Sequence, residues 1–152
     1  MIGMVYLFPG GHVEKGESIV QSVIREIQEE TGLIVSNIVP CGIKDWYDFK
    51  KQKRYIVFFY KTSNYSGKLI PASHEVENKW MTLEEIYINS TAPDFLEMLD
   101  IFTNKNSYTE FFYEDNQNEK RKEKMVKKVL LIIIILSEKS LFFCCKKGDE
   151  FY

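Results

Sequence analysis

The chain has 152 residues, 45% hydrophobic and 28% charged, a balance that excludes a disordered chain and suits one compact domain. With 20 basic against 22 acidic side chains and a pI near 5.8, it lacks the basic surface that grips nucleic acid by its phosphates, so no duplex nucleic acid is expected as a partner. Cys41, Cys144 and Cys145 form neither a disulfide framework nor a CxxC metal clamp, and with no secretion signal before Pro9-Gly10-Gly11 the expected location is cytoplasmic.

In chain order, a glycine turn comes first. Ser18 with Gln21 three residues on is a capping box, and Gly32 stands where a left-handed residue ends a helix, so a helix is predicted over 18–31. Strands are predicted over 33–39 and 41–47, separated by Pro40. The run Tyr55-Ile56-Val57-Phe58-Phe59-Tyr60 is too apolar for a strand with one wet face and reads as a central strand. Residues 68–70 and 79–81 read as edge strands. Thr82 with Glu85 repeats the capping-box pattern, and a last helix is predicted over 93–102, with Pro93 in its first turn and Phe95, Leu96, Leu99 and Phe102 on one face. This alternation is that of an α/β domain.

The chemistry concentrates on the first helix. At about 100° per residue, Ile19, Val20, Val23, Ile24 and Ile27 make an apolar stripe, and Glu26, Glu29 and Glu30 cluster beside it. Like charges three and four positions apart repel, and Glu30 points near the middle of the apolar stripe, so a cationic partner is expected there. Hard oxygen donors without His or Cys suit Mg²⁺ or Mn²⁺, metals that commonly serve phosphate-bearing substrates. Arg25 and Glu17, eight positions apart, are placed to pair across the start of the helix. His12 and His74 read as solvated turn residues rather than metal ligands.

From Gly11 to Leu33 the residues match, at all nine fixed positions over 23 residues, the pattern G-x5-E-x7-R-E-U-x-E-E-x-G-U with U a bulky aliphatic. The chain therefore resembles the Nudix hydrolases. Phe8-Pro9-Gly10-Gly11-His12-Val13-Glu14, the segment 41–47 and Glu110-Phe111-Phe112-Tyr113 look more closely like the bacterial MutT-type 8-oxo-dGTP diphosphatases. The resemblance implies an α/β/α sandwich with a mixed central sheet and a Mg²⁺-dependent enzyme that cleaves a purine nucleoside triphosphate to monophosphate and pyrophosphate, cleansing the nucleotide pool before DNA synthesis. Position by position, Gly11 (through its carbonyl), Glu26, Glu29 and Glu30 would hold the metal, with Glu17 and Arg25 bracing the loop and helix. The resemblance implies Glu29 or Glu26 as the general base. Glu75, with Glu77 as its alternative, falls where relatives supply a further acidic group. Asp94 falls near where relatives read the purine edge. Phe8, Trp46, Tyr47 and Tyr55 are candidates to stack on a base, against the commoner use of such rings in a core, and Lys44, Lys53 and Arg54 are candidates to meet phosphate.

Two features depart from the family pattern. Relatives carry a strand pair before the box where this chain has ten residues, which predicts a sheet incomplete on its N-terminal side. That gap leaves an inactive nucleotide-binding remnant as one alternative, and because the substrate rests on the flanking resemblance alone, hydrolysis of another nucleoside diphosphate derivative is the other. The second departure is at the other end. Residues 1–115, the expected hydrolase domain, carry 11 basic and 17 acidic groups, whereas 116–152 carry 9 and 5 and read as a basic then apolar tail outside the domain. Its eight-residue run 129–136 is too short to span a bilayer as a helix, and the longer window 125–145 is interrupted by charges, so no membrane partner is expected. Oligomeric state is left open by the sequence.

Overall fold

The computed structural model describes residues 4–70, 76–88, 95–103, 109–114, 128–135 and 141–147. Strands β1 (Met4–Leu7) and β2 (Gly10–His12) lead into helix α1 (Ile19–Thr31), which starts and stops where its end signals lie. The Ser18 hydroxyl accepts the Gln21 amide at 3.2 Å, and the Gln21 side-chain oxygen accepts the Ser18 amide at 2.8 Å. At the far end Gly32 takes φ 74° and its N–H returns to the Gln28 carbonyl at 2.9 Å. A side chain there would be strained and would also lie 2.6 Å from Ile70 Cγ1, so both backbone and packing require glycine.

Strand β3 (Leu33–Ser36) is followed by Asn37, which has positive φ. Strands β4 (Val39–Asp48) and β5 (Lys53–Thr62) form a long antiparallel hairpin. Pro40, expected to separate two strands, lies inside β4, and the register shift between Pro40 and Gly42 accommodates it, since proline enters a sheet at bulges. Strand β6 (Asn64–Gly67) pairs with β3, a partner its polar sequence does not advertise. Residues 68–70, expected as an edge strand, are instead irregular, and the Ile70 amide donates to the Thr31 carbonyl at 2.8 Å.

Strand β7 (Val76–Met81) precedes α2 (Leu83–Ile88), whose capping box is formed by Thr82 and Glu85 in both directions. Helix α3 (Phe95–Thr103) buries Phe95, Met98, Leu99, Ile101 and Phe102, whereas Leu96, expected on that face, is 37% exposed. Pro93 and Asp94 lie outside the described residues. Strands β8 (Thr109–Glu114), β9 (Lys128–Ile135) and β10 (Leu141–Lys147) complete the described elements.

The central sheet is mixed, in the order β2-β9-β5-β4-β8, with β5/β9 and β4/β8 parallel and the other neighbours antiparallel. A second sheet runs β1-β10-β7, and β3 with β6 makes a third. The β5 run is apolar throughout because both of its faces are covered. Val57 and Phe59 pack with Phe8, Phe95, Leu99 and Phe102, while Phe58 and Tyr60 join Val23 and Ile27 of α1. The protein is thus an α/β sandwich about this sheet.

The largest departure from the sequence reading is in 116–152. Within the segment set apart there as a tail, β9 lies between β2 and β5, and β10 lies between β1 and β7. Both strands pair with the short N-terminal strands, on the side where the sequence predicts an incomplete sheet. No helix among the described residues is long and apolar enough to cross a membrane.

Candidate active site

The capping box sets where α1 begins, and this fixes which of its faces meets β2. Gly11 lies against Glu26: a methyl group at Gly11 would fall 2.2 Å from the Glu26 carboxyl carbon, so only glycine permits this approach. One residue earlier, the Gly10 amide donates to Glu30 Oε2 at 2.9 Å. One residue later, the His12 carbonyl accepts from the Ser22 hydroxyl at 3.1 Å and from Arg25 Nη2 at 3.0 Å. Three consecutive β2 residues are therefore docked on one side of one helix.

Arg25 is the cationic partner of two of the three glutamates, Glu26 and Glu29. Its Nε and Nη2 grip both oxygens of Glu17 at 3.1 and 2.7 Å, while Nη1 reaches Glu26 at 2.9 Å and Glu29 at 3.1 Å. The fork geometry of a guanidinium allows this, and lysine could not reproduce it. The Arg25 hydrogen bonds, reinforced by the Glu14 amide donating at 2.6 Å, lower the Glu17 pKa to about 2. Arg25 is pushed further above its ordinary value, chiefly by Glu17. Glu30 is half-buried, and its Oε2 accepts the Gly10 backbone amide.

Oxygen donors thus adjoin a loop whose backbone approaches one of them. As the side chains stand, no three acidic, His or Cys groups among the described residues converge on one point. Arg25 holds Glu26 and Glu29, and Gly10 holds Glu30. The donor set fits a hard divalent cation: carboxylates within two turns of one helix, a carbonyl-bearing loop beside them, and a glycine that keeps the approach clear.

The other sequence-derived residues separate. Glu75, Asp94 and His74 lie outside the described residues. Glu77 is on β7 and half-buried. Phe8, a candidate to stack on a base, is 6% exposed; its ring is stacked on Phe95 at 4.3 Å and lies against Phe102, so its faces belong to the core. Arg54 makes a two-pronged ion pair with Asp45, its Nε 2.9 and 3.1 Å from the two carboxylate oxygens. Trp46 stacks on Tyr55 across the hairpin at 4.8 Å, and Lys44 Nζ sits 5.0 Å from the Trp46 ring centre, a cation–π contact. The Cys41 thiol is pushed up to about 11 by burial, which makes it a core residue rather than a nucleophile.

Two positions escaped the sequence reading. Ser22 is fully buried and ties α1 to the His12 carbonyl; a small polar residue one turn past the cap was its only signal. Asn78 of β7 donates its side-chain amide to the Glu30 carbonyl at 2.7 Å, and its Oδ1 is buried without a partner among the described residues. A single Asn in a strand carries no sequence signal for that bond.

The NUDIX domain profile matches residues 3–102, and the chain belongs to the Nudix family. It is 32% identical over 83 residues to an NAD-capped RNA hydrolase, NudC, of Pseudomonas aeruginosa, covering 54% of this chain and 28% of that protein. It is 27% identical over 104 residues to an oxidized purine nucleoside triphosphate hydrolase of Danio rerio, covering 68% of this chain and 65% of the other. The chain therefore spans less than two thirds of either relative. Among solved structures, a MutT protein from Bacillus halodurans superposes with a TM-score of 0.60 at 26% identity, over 75% of this chain and 84% of that one.

Proposed function

We propose that this chain is a divalent-metal-dependent pyrophosphohydrolase that cleaves a phosphoric anhydride bond in a nucleotide. The substrate class we favour is a purine nucleoside triphosphate of the 8-oxo-dGTP kind, hydrolysed to monophosphate and pyrophosphate in nucleotide-pool sanitation. The observation that carries this reading is the docking of Gly10-Gly11-His12 on the acidic side of α1. An ion-pair cluster serving stability alone would not need a glycine backbone against Glu26.

In the mechanism, Glu26, Glu29, Glu30 and the Gly11 carbonyl would hold Mg²⁺, or Mn²⁺ in its place. When bound, the ion neutralises pyrophosphate charge and lowers the pKa of water beside the phosphorus. Glu29 or Glu26 accepts the proton of the attacking water, a transfer that contributes roughly 10²–10⁴ in rate. Arg25 and Glu17 hold loop and helix in register, so the carboxylates meet the phosphate chain already oriented. Arg25 also restrains the Glu26 and Glu29 side chains, and metal binding would compete with those two bonds.

A second substrate reading rests on the similarity to an NAD-capped RNA hydrolase, an enzyme named for a different nucleotide anhydride. The test is a panel of 8-oxo-dGTP, dGTP, NAD and NAD-capped RNA with Mg²⁺, read by pyrophosphate release from the triphosphates and by release of nicotinamide mononucleotide from the NAD compounds. Preference for 8-oxo-dGTP supports the first reading and preference for NAD compounds the second. Tight nucleotide binding with no turnover of any compound would identify a remnant and overturn both.

A further inference from the structure

We propose that strands β9 and β10 are a built-in positioning element of the hydrolytic site: β9 holds the Gly10–His12 strand in register with the central sheet, and β10 closes the second sheet beside it. Sheet order carries the argument. Gly10, Gly11 and His12 face Ile132, Leu131 and Leu130, while β9 on its other edge runs parallel to β5 from Tyr55 opposite Lys128 to Thr62 opposite Ile135. Among the described residues, β9 is the only strand joining β2 to β5. Likewise β10 is the only strand joining β1 to β7, with Met4 opposite Lys147 and Met81 opposite Leu141.

The physical need is explicit. Strand β5 is apolar on both faces and hydrogen-bonded to β4 on one edge; without β9 its other edge would present unpaired backbone groups beside an apolar surface. Strand β2 has only three residues, too few to persist as an isolated strand, yet its backbone meets Glu26, Glu30 and Arg25. A short strand gripped by α1 on one side needs a fixed rail on the other, and β9 is that rail. The inference rests on the proposed site only in giving β2 its function; the strand placement stands without it.

The test has one arm for placement and one for positioning. For placement, the full chain carries Cys144→Ser and Cys145→Ser with either Met4→Cys/Lys147→Cys or Val5→Cys/Lys146→Cys. In consecutive antiparallel registers one pair is non-hydrogen-bonded, with Cα atoms close enough to bridge. Under an added oxidant at least one variant should form an intramolecular disulfide in most molecules. No cross-link in either, or one found only in covalent dimers, would overturn the assignment, the latter in favour of strand exchange between two copies.

For positioning, Leu131→Pro removes a backbone donor opposite Gly11. The expected result is amide exchange at 10–12 faster by at least tenfold and Mn²⁺ affinity weaker by at least tenfold, with 18–32 still protected. Unchanged exchange and Mn²⁺ affinity would overturn the positioning role. If Leu131→Pro does not fold, exchange in the unaltered protein decides: 128–135 and 10–12 must be protected together, and immediate exchange of 128–135 beside a protected 10–12 refutes the proposal. None of these readouts requires turnover, so they fail or succeed independently of the substrate assignment.

Discussion

The loop and helix from Gly10 to Gly32 and the strands β9 and β10 serve one site but are specified in opposite ways. In the first region the cap, the stop and the Arg25–Glu17 clamp join residues no more than 8 positions apart, each with a recognisable signal in the sequence. In the second, Gly10 is paired with Ile132 and Met4 with Lys147, across almost the whole chain. Local patterns give chemistry its residues; distant pairing gives those residues a frame. Closing the distant pairs costs chain entropy that only a completed sheet offsets, so the region with the clearer sequence signal depends on the one with none.

The sharpest way to break this comparison is to delete 128–147. We expect cooperative thermal unfolding to disappear, because both larger sheets lose an interior strand. If circular dichroism instead shows a sharp transition near that of the full chain, the box region is self-sufficient and the contrast fails.

Next in size is Gly11→Ala, which changes nothing beyond one methyl group. That methyl would lie 2.2 Å from the Glu26 carboxyl carbon, so loop and helix must part, and a displacement of this order costs about 10²-fold in rate. Steady-state kinetics should show the loss in kcat/KM with a melting temperature shifted by only a few degrees. Wild-type kcat/KM in the alanine variant would mean that the close approach has no role in turnover.

Smaller effects separate local stability from chemistry. Ser18→Ala removes one half of the capping box and should cost about 1 kcal/mol in urea unfolding, with turnover by folded protein unchanged. Glu17 adds a pH signature. Its folded pKa, about 2, lies below the ordinary 4.5, so the stability it contributes is full above about pH 4.5 and is lost as pH falls toward 2. Urea melts of Glu17→Gln should therefore approach those of the wild type as pH falls through that window. A gap that stays constant with pH would show that the Arg25 pair does not govern this region.

How much was legible follows the same division. The capping boxes at Ser18 and Thr82, the Gly32 stop and the central β5 strand could be read because each rests on short-range chemistry or on continuous apolarity. The pairing of Arg25 with Glu17 could be read from their positions, while the contact of Glu30 with a backbone amide could not, since any residue has an N–H. Pro40 misled because proline usually breaks a strand, and here a bulge absorbs it. Phe8 looked available to a base until Phe95, 87 positions on, covered its ring. The isoleucine run of β9 reads as part of a tail outside the domain because apolar composition does not say which strands a segment pairs with.

The central claim is that the acidic side of α1 against Gly10 and Gly11 is a metal-dependent hydrolytic site. The most direct measurement is pyrophosphate release from 8-oxo-dGTP, with Mg²⁺ present or chelated, by the wild type and Glu29→Gln. The account expects turnover that requires the metal and falls by at least about 10²-fold in the variant, with the fold retained. Turnover that persists in chelator, or is equal in Glu29→Gln, would contradict it.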